Sequence, residues 1–300
     1  MMKRLIVTIC AILSVGGLAG LGTGTAMAGT GTKGTPTGVT GAMGPGGVPV
    51  ANQESGKWSG GKACEKYPQK FDFCTAPAAP APSRSVVAPP ACIANYPGFS
   101  NSAGLKLNGN AQITGGVVRL TNFFSQTGSV FSTTPFVLAQ SFSTHFQFSL
   151  HNGIGPADGI TFVIQNSPSG PSALGAGGGG LGYAGISPSA AIEFDIFQGP
   201  SDRDNNHVGI LENGNLASYL SVASPGFKLY GSGPVNVWVD YNAATHLLQV
   251  YVSQGATKPS TPLVSATIDL SRVVGPAGYF GFTGATGGFF AVQDILSWSC

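Results

Sequence analysis

Glu193-Phe-Asp-Ile-Phe-Gln-Gly-Pro-Ser-Asp-Arg-Asp-Asn-Asn-His-Val-Gly-Ile210 is the stretch whose reading decides the fold. The chain has 12 acidic residues in 300, and four of them (Glu193, Asp195, Asp202, Asp204) fall between positions 193 and 204, with Arg203 the one base among them. Ala190-Ala-Ile-Glu-Phe-Asp195 reads as a strand, and the strand period of two puts both carboxylates on one face with Ile192 and Phe194 on the other. The chain then turns at Gly199-Pro200, returns through Asp202 and His207, and resumes an apolar run at Val208. Carboxylates held this close repel one another unless a cation sits among them or one takes a proton. Hard oxygen ligands suit calcium, and an imidazole beside carboxylates suits manganese or zinc, so the spacing predicts a metal loop. The competing reading is a solvated acidic turn.

Outward from this stretch the chain divides into three. Residues 1–28 read as a secretory signal: Lys3 and Arg4, an apolar run from Leu5 to Leu21, then Ala26-Met-Ala28 as a small-residue cleavage box. An uncleaved membrane anchor is the alternative, disfavoured by the glycines in the run. Residues 29–91 are Gly-, Thr-, Pro-, Ala- and Ser-rich without apolar periodicity, the composition of a disordered spacer. Its Ala-Pro run at 76–90 is expected to be extended. Four cysteines remain after the signal (Cys64, Cys74, Cys92, Cys300), an even number that suits two disulfides in an exported protein, with three connectivities available.

Residues 92–300, about 209 residues, have the size of one all-β sandwich. Short alternating runs recur between Gly, Asn, Ser and Pro: Val117–Thr121, Phe142–Leu150, Ile160–Ile164, Val235–Tyr241, Leu247–Val252 and Tyr279–Phe282. No run of ten residues carries a helical repeat, so helix should be minimal and the architecture a sandwich or jelly roll. A net charge of +2 without a basic cluster argues against nucleic acid as a partner. Gly175-Ala-Gly-Gly-Gly-Gly180 matches G-x-G-x-x-G, but no βαβ unit surrounds it, and a glycine-rich loop is the better reading. His145, His151 and His246 have no acidic cluster near them in sequence and read as ordinary sandwich residues. Trp238 and Trp298 read as core, and Tyr183 and Phe289, on loops, as the aromatic faces available for stacking against a ligand.

The runs, taken in order, resemble a legume-type (L-type) lectin domain of the bacterial, secreted kind. The matching pieces are Ala157–Asn166, Gly178–Gly182, the stretch Glu193–Ile210, Val237–Asn242, Gly281–Gly287 and Asp294–Trp298. The resemblance implies a concanavalin-like jelly roll of two large antiparallel sheets with a metal-dependent sugar site at one end. By position, Glu193, Asp195, Asp202 and His207 would hold Mn2+ or another transition metal, and Asp195, Asp202 and the Phe197 carbonyl would hold Ca2+. Asp158, after a cis peptide at Ala157, would accept from two sugar hydroxyls, a task suited to a carboxylate. The Gly179 amide would donate to the same sugar, beside a variable loop with Gly288 and Phe289. Gly199 departs from the family, which has there an Asn that ligates calcium and donates to the sugar. Because the first and last strands of this fold are neighbours, the resemblance also implies the pairs Cys92–Cys300 and Cys64–Cys74.

The function expected is that of a secreted or cell-surface carbohydrate-binding lectin, not an enzyme. Its partners would be glycans, with no membrane contact after signal cleavage, and sheet edges would be available for a homo-oligomer. One alternative is an adhesive or structural module with a degenerate sugar site. The other is a jelly-roll glycoside hydrolase, which would need a third acid just after Asp195, where the chain has Ile196, Phe197 and Gln198.

Overall fold

Ile160, Phe162 and Ile164 point one way from their strand and Thr161 and Val163 the other, yet all five are buried. A strand covered on both faces needs a layer on each side, and this requirement organises the molecule. The computed structural model describes residues 94–200 and 202–300. The expected signal and spacer, with Cys64, Cys74 and Cys92, lie outside the described residues.

In chain order the strands are β1 (Asn95–Tyr96), β2 (Leu105–Gly109), β3 (Gln112–Thr114), β4 (Val117–Thr121), β5 (Thr127–Ser132), β6 (Phe136–Val137), β7 (Phe142–Ile154) and β8 (Gly159–Gln165). They continue as β9 (Ser189–Asp195), β10 (His207–Glu212), β11 (Ser221–Ala223), β12 (Val235–Asn242), β13 (Leu247–Ser253), β14 (Val264–Thr267), β15 (Ala277–Ala285) and β16 (Phe290–Ser299). Among the described residues one short α-helix, α1 (Leu270–Val273), is capped by Asp269, whose side chain accepts from the Arg272 amide.

The strands form two antiparallel sheets of eight. One runs β14-β13-β12-β7-β16-β4-β3 with β1 on β16; the other runs β11-β10-β9-β8-β15-β5-β2 with β6 on β15. This is the expected all-β jelly roll of two large sheets. Between them lies a core rich in phenylalanine. Phe146 stacks on Phe162 at 5.3 Å and meets Phe282 edge-on at 4.9 Å, and Phe282 meets Trp298 at 5.4 Å. Each such side chain contributes about 1.5–3 kcal/mol when fully buried.

A smaller apolar cluster covers the outer face of β8 and β9: Val163, Ala191 and Leu211 pack with Tyr183, Ile186 and Ala173 from the segment between those strands. That burial corrects the reading of Tyr183 as an exposed stacking face. Its hydroxyl is held between the Ser189 hydroxyl (3.0 Å) and the Gly214 amide (3.0 Å), because the 173–186 segment folds back onto the sheet. Trp298 is core, as expected, but Trp238 is half-buried and stacks on His145 at 4.8 Å. It faces away from the core because Val237 and Val239 take the inward positions of β12.

Cys300 is disulfide-bonded, and its backbone amide donates to the Ala94 carbonyl at 2.9 Å. No helix among the described residues is long and apolar enough to cross a membrane.

Candidate functional site

Strand register brings the acidic stretch together. Across β9 and β10, His207 lies opposite Asp195 and Gly209 opposite Glu193; on the other side of β9, Gly159 lies opposite Asp195. Residues directly opposite share a face, so Glu193, Asp195 and His207 project together on the outside of the sheet. Their ligand atoms lie within 4.8 Å of one another, and all three residues are buried.

Such a cluster cannot keep its ordinary protonation without a cation. Burial, with the charges of Glu193 and Asp202 adding to it, pushes Asp195 up to about 8 even though the Phe197 amide donates to it. Burial pulls the His207 imidazole down, but the hydrogen bond and charge of Glu193 and the charge of Asp195 outweigh it and carry it up to about 9. The His207 Nδ1 contacts the Asp204 carbonyl at 2.8 Å, which holds the proton there and turns Nε2 toward Glu193 Oε1 at 3.0 Å. This is how a metal-binding histidine is usually oriented, by a carbonyl on its far nitrogen. Two carboxylates and an imidazole lone pair converging on one point fit a divalent transition metal.

Asp202 is not in this trio. Its carboxylate accepts instead from the Gly199 amide. Asp204 is turned away as well, toward the Ser224 hydroxyl and the Asn206 amide. Of the four predicted transition-metal ligands, the structure brings three together.

Of the predicted sugar residues, Asp158, Gly179 and Gly199 line a cleft of about 330 Å³ together with Phe197, Asp202 and Leu216 among others, whereas Gly288 and Phe289 do not. The Ala157–Asp158 peptide is cis. The Asp158 amide donates to the Ala285 carbonyl (3.1 Å) and its carbonyl accepts from the Ile196 amide (3.0 Å), which fixes the backbone between β15 and the start of the metal loop. Its side chain is different: Oδ2 is buried with no hydrogen-bond partner. Burial pushes the carboxyl up to about 6, with the Gly287 amide partly offsetting. A buried acceptor left unpaired costs about 1–3 kcal/mol, so a polar ligand group that satisfies it is favoured.

Gly288 is not among the cleft-lining residues and has open space around it. The nearer neighbour is Gly287, where an added Cβ would sit 3.6 Å from Asp158 Oδ2. Phe289 is 47% exposed and packs over Gly155, its ring 5.9 Å from that of Phe197.

Sequence reasoning missed one residue, Tyr219, and gave another, Phe197, only part of its place in the site. Phe197 was singled out for its carbonyl, yet it also lines the cleft. Tyr219 stands over Gly209 with its hydroxyl 3.1 Å from His207 Nε2, and a Cβ at Gly209 would come within 2.6 Å of its ring. The glycine opposite Glu193 was the available signal: it leaves room for an aromatic ring.

Gly199 has an ordinary, not left-handed, φ, but a Cβ there would lie 2.8 Å from Asp202 Oδ2. Gly199→Asn should therefore displace the Asp202 carboxylate from the Gly199 amide and add a side-chain oxygen. The expected result is a roughly tenfold gain in calcium affinity by calorimetry, at the low end of one charge-assisted contact. A weaker affinity would mean that Asp202 cannot make way.

A two-sheet jelly roll carrying an acid–imidazole cluster beside a cleft with a buried aspartate defines a lectin-type sandwich. A family model described as "Legume lectin domain" matches residues 94–300, and the chain belongs to that family. Among its relatives is the L-type lectin-domain containing receptor kinase VIII.1 of Arabidopsis thaliana, 33% identical over 216 residues, covering 65% of this chain and 30% of that protein. Another is the putative L-type lectin-domain containing receptor kinase I.1 of the same plant, 36% identical over 239 residues, covering 68% of this chain and 34% of that protein. The chain thus spans about a third of the length of these curated relatives. Both are plant proteins, so these comparisons carry the family and not the bacterial kind. Basic winged bean lectin, solved with Tn-antigen, is 30% identical with a TM-score of 0.59, covering 68% of this chain and 95% of that one. Arcelin-5, a lectin-like defense protein of Phaseolus vulgaris, shares the fold at 23% identity and a TM-score of 0.57, with the same coverage.

Proposed function

We propose that this protein is a secreted or cell-surface lectin that binds glycans through a metal-dependent site around Asp158. The observation that carries the reading is the buried, unpartnered Oδ2 of Asp158 in a cleft beside the acid–imidazole cluster. A carboxylate there accepts from two neighbouring sugar hydroxyls, and the Phe197 ring offers its face to the apolar side of the sugar. Glu193, Asp195 and His207 would hold a transition metal such as Mn2+. Asp195, the Phe197 carbonyl and Asp202, once turned from Gly199, would hold Ca2+. Bound ions would neutralise the cluster and stiffen the loop that forms one wall of the cleft. Gly179 would donate its amide to the sugar, and Phe289 would stand at the rim.

The domain is assigned to residues 92–300, after a signal at 1–28 and a spacer at 29–91. Its closing disulfide is assigned to Cys92–Cys300, supported by the contact of Cys300 with Ala94; a non-reducing peptide map linking Cys300 to Cys64 or Cys74 would overturn the pairing.

A glycan array with added calcium and manganese tests the function. Binding is expected, and an excess of chelator should remove it; binding indifferent to chelator would remove the metals from the reading. The second reading, a module that keeps the fold without the sugar, is favoured by Gly199 alone, and an empty array would select it. Hydrolysis has less support, since Glu193 is engaged with His207 and no third acid follows Asp195 on this strand.

A further inference from the structure

The cleft at Asp158 does not end at Phe197. The same residue lines a second depression of about 270 Å³, shared with Gly155, Pro156, Ile196, Asn205 and Phe289. Pro156, Ile196 and Asn205 in turn line a third depression of about 270 Å³, together with Asn206, Lys228 and Tyr230. The first two depressions adjoin at Phe197 and the last two at Pro156, Ile196 and Asn205, so the three lie in a row, a trough partitioned at Phe197 that leads from Asp158 to Lys228.

Charge changes sign along it. Asp158 and Asp202 line the first part, and Lys228 is the one charged residue lining the other two. The Lys228 ammonium has no ion pair or hydrogen bond among the described residues. Its backbone is nonetheless held on both sides: Asn206 Nδ2 donates to the Phe227 carbonyl (2.9 Å) and Asn206 Oδ1 accepts from the Leu229 amide (2.8 Å). Asn206 directly precedes His207, so the wall carrying Lys228 is tied to the metal loop. Tyr230 accepts from the Gly153 amide at 2.9 Å and keeps its own hydroxyl proton to donate. Asn205 is exposed, and its side-chain amide is unengaged among the described residues.

We infer, resting on the sugar-binding reading above, that the trough receives the continuation of the glycan, and that Lys228 pairs with an anionic group on the distal sugar, a uronate carboxylate or a sulfate. The ligand class is an acidic oligosaccharide of at least three units, neutral at the Asp158 end.

The test uses the full chain with calcium and manganese present. It is titrated with trisaccharides of galactose, glucose or mannose, each in neutral, terminal-uronate and terminal 6-sulfate form. The acidic forms should bind about three- to fivefold more tightly than the neutral parents, as one exposed ion pair allows. The preference should shrink as salt is raised. Lys228→Gln should erase it without changing affinity for the neutral parents, and Lys228→Glu should reverse it; comparison of the uronate and sulfate arms identifies the anion. Equal affinities for all three forms, or a preference that survives Lys228→Gln, overturn the inference. If binding is still lost in Asp158→Asn, the sugar site stands without it. Binding unaffected by Asp158→Asn overturns the sugar reading and the inference together.

Discussion

Asp158→Asn is expected to abolish glycan binding and, in metal-free protein, to raise the melting temperature. Both effects come from one buried carboxyl. Its pKa rises from the ordinary 3.8 to about 6, chiefly through burial. The folded state therefore binds the proton more tightly than the unfolded one. Between about pH 4 and 6 the charged group increasingly opposes folding, and at pH 7 the penalty is complete, at roughly 1–3 kcal/mol. Asparagine keeps the shape and removes the charge, so melting should rise by several degrees, at about 2–4 °C per kcal/mol for a domain of this size. Glycan binding needs the opposite. Asparagine has one acceptor oxygen where aspartate has two, and its amide would face hydroxyls arranged to donate. Wild-type affinity should likewise fall about tenfold per pH unit below the carboxyl's pKa, a value that a bound cation would lower. Scanning calorimetry and glycan titration of one variant read both arms. A variant that binds as wild type removes Asp158 from the site, and a lower melting temperature would mean that Oδ2 is not an orphan.

Excess chelator is expected to lower the melting temperature of the metal-loaded protein by roughly 5–10 °C. A ligand at a hundred times its dissociation constant adds about 2.7 kcal/mol, which at this chain length corresponds to that shift. Three buried residues hold ligand atoms within 4.8 Å of one another, a crowding that a cation relieves at once and protons only in part. In Glu193→Gln the response to chelator should largely vanish, because the ligand that faces His207 is gone. An unchanged melting temperature, in protein verified to carry metal beforehand, would remove the metal loop.

Much of this was legible in the chain. Strand alternation and glycine-rich turns implied a sandwich or jelly roll, the family resemblance implied its two large antiparallel sheets, and the period of two placed Glu193 and Asp195 on one face. What escaped depends on contacts between distant segments. Tyr183 is buried because a loop with no periodicity of its own folds onto β8 and β9. Asp202 turns to the Gly199 amide, a local backbone bond that ligand spacing does not reveal. His151 lies 3.1 Å from Asp294, which Arg119 grips with two bonds of 2.8 Å. That triad joins β4, β7 and β16, so residues read as isolated in sequence become partners only through sheet order. Tyr219 was invisible for the same reason, reaching His207 from the loop after β10.

The two described tryptophans make the domain its own optical probe. Trp298 is sealed in the core, donating from its indole nitrogen to Thr144 and stacked on Tyr96. Trp238 lies on the outer face of the same sheet against the His145 ring. Emission from the first should shift red only when the two sheets part, whereas emission from the second reports the half-buried outer face of β12. Neither tryptophan lines the cleft or the trough beyond it. Fluorescence from these two residues will therefore track unfolding and remain dark to the arrival of a sugar.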